Sequence, residues 1–154
     1  LISKNKTLPA AKHLVDFLSA AAKVSKATEA SSLLLENKIF MNPNEMAALT
    51  KIIKAEKLVG ISEALSSFNE FMGAITMPTG VTSAVTDSMQ KVLAVSNSAI
   101  GLMSNNVNLV EVYQRQSVLD SNRVNEIRGL GQQLISGIKK TEIIANSTIA
   151  SNQK

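Results

Sequence analysis

The sequence predicts an all-α protein: an elongated bundle of three long helices carrying a small appendage of two short ones. Three observations predict it. Apolar side chains recur at steps of three and four residues in every major segment, the spacing that gathers them on one face of a helix. No stretch alternates convincingly with period two, so no strand is expected. Only three prolines and seven glycines interrupt 154 residues, and the strongest stop and start signals fall at 41–45 and 76–80. The length fits one domain, 1–154, with the bundle drawn from 8–40, 80–105 and 107–150 and the appendage from 42–77.

The first helix is expected over 8–38. Leu14, Phe17, Leu18, Ala21, Val24 and Ala27 form one apolar face, Pro9 fits its first turn, and "EASSLLLENK" extends it through Leu34 and Leu35. Its outer face is rich in Ser and Thr, so it needs tertiary packing to persist.

"MNPNEMAALTKIIK" (41–54) then starts a new helix. Asn42 suits the N-cap, because its side-chain oxygen accepts from a free backbone N–H. Pro43 takes the first helical position, where no donor is missed. Glu45, three residues after the cap, is placed to reach back to the cap's own N–H, and Met41 and Met46 occupy staple positions.

The two short helices are expected at 43–58 and 61–75. The first carries Met46, Leu49, Ile52 and Ile53 and is closed by Gly60. The second carries Leu65, Phe68, Met72 and Ile75 and is capped by Ser62. "TMPTG" (76–80) is a turn. Val81, Val85, Met89, Val92, Val95, Ala99 and Leu102 mark a long helix over 81–104, which the Asn-rich "SNNVN" interrupts. The last helix is expected from about 109 to 148, with Val124, Ile127, Leu130, Leu134 and Ile138 on its core face. Gly129, Gly131 and Gly137 lie inside it. Each costs about 1 kcal/mol against Ala, which a close helix–helix approach, a bend or a local break would explain.

Composition narrows the function. The 45% apolar and 18% charged fractions are globular, and a core short of aromatics must be built from Leu, Ile, Val, Ala and Met. Without cysteine there is neither a disulfide framework nor a thiolate metal site. The net charge of +4 is scattered: Arg115, Arg123 and Arg128 are the only arginines and Lys139-Lys140 is the longest basic run. Nucleic-acid binding proteins concentrate such charge in a stripe, so this class is disfavoured. The chain begins at Leu1, consistent with either a removed signal peptide or a domain boundary.

Convergent polar groups are scarce. His13 is the single histidine and has Asp16 three residues on, too few groups for a metal site. Serine is abundant, but no nucleophile-elbow pattern accompanies it. Glu29 and Glu36, like Glu63 and Glu70, lie seven apart and share a helix face. A di-metal centre would need a Glu-x-x-His partner that is not present. "GLG" (129–131) lacks the strand and the Lys-Ser/Thr of a phosphate loop, and "NKT" (5–7) and "NST" (146–148) match the short glycosylation acceptor. The expectation is a non-enzyme with no cofactor and no metal site.

Two stretches bear on partners. Residues 92–110, "VLAVSNSAIGLMSNNVNLV", hold no charge over 19 residues, the length of a membrane span, but their Ser and Asn load favours a packed helix. Phe68, Phe71, Met72 and Met77 cluster near the 76–80 turn. Either they pack the appendage onto the bundle, the reading favoured by their apolar character, or, if exposed, they are the candidate interaction surface, for a protein partner or for contact with a membrane.

The tail "RVNEIRGLGQQLISGIKKTEIIANSTIASNQ" resembles the C-terminal helix of the minor pilus subunits of bacterial type IV secretion and conjugation systems. Arg123, Ile127, Leu130, Leu134 and Ile138 carry the resemblance, followed by a polar step and a second helical stretch through Ile144 and Ile149. The order of long helix, short-helix appendage and long helices is also similar; a Gln/Glu-rich first helix is not present. The resemblance implies a periplasmic or surface-exposed adaptor at a pilus tip, without catalysis. The expected function is therefore an exported, non-enzymatic interaction protein, a structural or adhesive component of a secretion, conjugation or surface apparatus. The alternative is a membrane-active helical protein, a pore former or translocator.

Overall fold

A computed structural model describes residues 11–37, 42–74, 81–105 and 121–152. They form five helices: α1 (Ala11–Asn37), α2 (Pro43–Ile52), α3 (Ala55–Ala74), α4 (Val81–Asn105) and α5 (Ser121–Asn152). There is no strand among the described residues, so the fold is all-α.

α1 buries the face its spacing marks. Leu14, Phe17, Leu18, Ala21, Val24 and Ala27 are all buried, and the stripe continues through Ala30 and Leu34. α5, the longest helix, packs extensively against both α1 and α4. It supplies Val124, Ile127, Leu134 and Ala145 to the core, with Leu130 and Ile138 at the margin. α4 contributes Val85, Met89, Val92, Ala99, Ile100 and Met103. One face of the uncharged stretch is thereby covered: Val92, Leu93, Ser96, Ala99, Ile100 and Met103 are buried among helices, while 106–110 lies outside the described residues. No described helix is long and apolar enough to cross a membrane.

The boundary between the two short helices differs from the sequence expectation. The chain breaks at Ile53–Lys54 instead of at Gly60, and α3 runs unbroken for 20 residues through Gly60 and Ser62. The reason lies in the core. At about 100° per residue, Ile53 and Leu58 would point about 140° apart on one straight helix. Both are buried, so the chain must turn between them. It does so with a tight Ile53 N–H to Thr50 C=O bond, and Lys54 C=O then accepts from Leu58 N–H to open α3. Gly60 is exposed, and nothing would touch a Cβ there. Glycine ends a helix through a left-handed backbone, which Gly60 does not adopt.

α3 is also more than an appendage. Leu58 and Leu65 are almost fully buried, and the helix packs against α1 and α4. α2 alone stays peripheral: it has no buried residue and lies chiefly on α1 through half-buried Met46, Leu49 and Ile52. Its cap holds as expected in one bond and differs in the other. Asn42 Oδ1 accepts from the Glu45 backbone N–H at 2.8 Å. The Glu45 carboxylate, however, accepts from Asn42 Nδ2 at 2.9 Å instead of from the cap's own N–H. The staple partner Met41 lies outside the described residues.

With few aromatics, the helices approach closely through small residues, and hydroxyls enter the interior. Ser31 Oγ reaches Met103 Sδ at 3.4 Å, tying α1 to α4. Thr141 Oγ1 donates to Gly137 C=O at 2.7 Å. Its single proton is thereby committed, so Ser88 is the donor in the 2.6 Å bond between the two hydroxyls that joins α4 to α5. Ser96 is the exception: fully buried, with no partner for its hydroxyl among the described residues. An unbonded buried hydroxyl costs about 1–3 kcal/mol of desolvation. Ser96→Ala is therefore expected to raise stability by about 1 kcal/mol in urea unfolding. A loss of stability would show that the hydroxyl is bonded after all.

Candidate functional site

The described residues form a groove between α1 and α5, open to solvent along one side and about 220 Å³ in volume. Its α1 wall is Ser25, Thr28, Glu29, Ser32, Leu33 and Glu36, residues one helical turn apart on a single face. Its α5 wall is Arg128, Gly131, Gln132 and Ile135. The Glu29–Glu36 spacing read from the sequence is realised here, since both carboxylates line this groove.

One glycine marks the closest approach of the two helices in this groove. A Cβ at Gly131 would sit 2.5 Å from Thr28 Oγ1 and 3.3 Å from Thr28 Cβ, so α1 and α5 meet at a point where no side chain fits. Thr28 is held there by a 2.6 Å bond from its hydroxyl to Ser25 C=O, and Ser32 Oγ donates in turn to Thr28 C=O at 2.9 Å. Both hydroxyls direct their protons at their own helix, which leaves only acceptor lone pairs toward the groove. At one end Arg128 forms an ion pair with Glu36 across the two helices. Ile135 is half exposed at the groove's edge.

Pockets that enclose small-molecule ligands run from about 300 to 1,000 Å³ and bury most of their ligand. A shallow 220 Å³ groove has room for a protruding side chain. The Arg128–Glu36 pair is partly solvated, 43% and 33% exposed, so its contribution is small. Glu36→Gln is expected to lower stability by less than about 1 kcal/mol, with the difference from wild type shrinking in high salt. Thermal unfolding at two ionic strengths reads this. A loss several times larger would mean that the pair holds α1 against α5.

The other candidates are placed less fully. Phe68, Phe71 and Met72 lie on α3, but their side chains fall outside the described set, and Met77 lies outside the described residues altogether. The candidate surface read from the sequence is thus not resolved into a contact or a patch. His13 lies in the first turn of α1, with its side chain likewise outside the described set, and Asp16 is exposed. Among the described residues, no three His, Cys, Asp or Glu come together in a way that could hold a metal ion.

The groove itself is not evident from the sequence, although a signal for it is present. Gly131 is four residues after Ile127 and three before Leu134, both on the core face of α5; Gly129 is in step with neither. A glycine in step with the buried residues marks where a neighbouring helix comes closest.

No known protein family, curated protein or solved structure matches this chain.

Proposed function

We propose that this chain is a non-enzymatic helical interaction protein, exported, that acts as a structural or adhesive component of a secretion, conjugation or surface apparatus. The observation that carries the reading is the α1–α5 groove: shallow, rimmed by Glu29, Glu36 and Arg128, edged by exposed Ile135, and sized for a side chain of another protein. The resemblance of 123–153 to minor pilus subunits supports a periplasmic or cell-surface location and an adaptor role in this reading. In this reading the long helices α1, α4 and α5 form the frame of an elongated bundle, and the Phe68, Phe71, Met72 and Met77 region offers a second contact surface.

The experiment is affinity capture from the native host with wild-type and Ile135→Glu baits. The expected result is recovery of identified envelope or pilus components by the wild type and at least tenfold less by the variant. Baits that recover the same proteins equally would remove the groove from the reading; recovery of cytosolic enzymes alone would remove the whole of it. The second reading, a membrane-active protein, rests on the charge-free 92–110 stretch. It requires the helices to separate, because Val92, Leu93, Ala99, Ile100 and Met103 in that stretch are buried against neighbouring helices. Flotation with anionic liposomes separates the two: lipid-bound protein favours the second, protein left in the dense fraction the first.

A further inference from the structure

α2 is built unlike the other helices. It is 10 residues long, below the roughly 12–15 at which a helix becomes marginally stable alone in water. It contains no buried residue, and its contact with the rest of the molecule runs chiefly to α1 through half-buried Met46, Leu49 and Ile52. Its hydrogen bonds are local. Asn42 and Glu45 close its N-terminus on each other, Met46 N–H donates to Asn42 C=O, and Thr50 Oγ1 donates to Met46 C=O. Its C-terminus is the sharp break at Ile53–Lys54, where Ile53 is buried and α3 begins afresh from Lys54.

We infer that α2 is a releasable strap: Pro43–Ile52 leaves α1 as a unit while α1, α3, α4 and α5 stay packed, with buried Ile53 as the fixed pivot. Three features combine to allow this. Release frees no fully buried side chain of α2: it exposes the covered halves of Met46, Leu49 and Ile52 and the patch of core they lie on. Among the described residues it breaks no side-chain bond to another helix, because the capping and hydroxyl bonds of α2 are internal. The break at 53–54 already separates its hydrogen-bond ladder from that of α3, so opening does not propagate into Leu58 and Leu65. Low local burial of this kind defines the segments that open below the global unfolding threshold. The inference rests on the packing alone and stands or falls separately from the proposed function.

Native-state hydrogen exchange of the full chain tests it. The amides of Leu49, Thr50 and Lys51 are expected to share one protection factor, at least 100-fold below those of Val24 and Leu134, with a shallow dependence on urea. Leu49→Ala is expected to lower α2 protection by a further tenfold and leave Val24 and Leu134 within twofold of wild type. Three results would each overturn the inference. α2 could exchange with the same protection and urea slope as the core. Its protection could be graded inward from the ends, which is fraying and not release. Or Leu49→Ala could lower protection equally throughout.

Discussion

Phe17→Ala is expected to destabilise the protein by about 3–5 kcal/mol. Phe17 is fully buried on α1 and heads the fully buried side chains by volume. The loss has two parts: the transfer free energy of the ring, and a cavity that the neighbours fill only partly. The cavity part is not easily refilled from α1 itself: Ala20 and Ala21, three and four residues on along the same buried face, cannot extend into a void. Because ~5–15 kcal/mol is the usual total for a domain, the variant is expected to unfold at markedly lower urea, if it accumulates folded at all. Phe17→Leu, which keeps most of the volume, is expected to fold and to lose less than half as much. Urea midpoints for the pair check this, and equal losses would show that the ring is not packed as described.

Gly131→Ala is expected to destabilise by about 1–3 kcal/mol, whereas Gly129→Ala, two residues earlier on the same helix, is expected to stabilise by up to about 1 kcal/mol. Alanine improves helix propensity equally at both sites, so the opposite signs isolate the surroundings. Nothing lies within 4 Å of a Cβ at Gly129, while Thr28 Oγ1 would lie 2.5 Å from one at Gly131. Relief at Gly131 requires either rotating Thr28, which breaks its bond to Ser25 C=O, or moving α1 away from α5. Thr28→Ala removes the clashing oxygen, so the double variant is expected to recover at least ~1 kcal/mol relative to additivity. An additive double mutant would mean that the two residues are not in contact, and the groove would lose its floor.

Much of this architecture is legible from apolar spacing. The face of α1 from Leu14 to Ala27 is buried residue for residue as its three- and four-step pattern marks it, and the Asn42-Pro43 start falls where the capping chemistry places it. The α2–α3 junction is not legible locally. Gly60 carries the local signal for a helix end, but the turn is set at Ile53 by the requirement that Ile53 and Leu58 both reach the core, which depends on where α1 and α4 lie. The groove falls between these cases. Its glycine is identified by phase, but its acidic rim depends on the rotation of α1 against α5. Glu29 and Glu36 share a face by spacing, yet spacing does not say that Arg128 faces them.

Gly131 is not the only such point on α5. A Cβ at Gly137 would come within 3.0 Å of Val92 Cγ2 on α4. The two glycines are six residues apart, about 9 Å along the axis, and each meets a β-branched residue of a different helix. They act as two notches on one ruler. Sliding α5 by a turn in either direction would bring Ile135 or Ile127 to the Thr28 notch, and Thr141 or Gln133 to the Val92 notch. Each is larger than the glycine it would replace, at a contact already tight for a bare Cβ, so the position of α5 is indexed twice and one axial setting satisfies both neighbours.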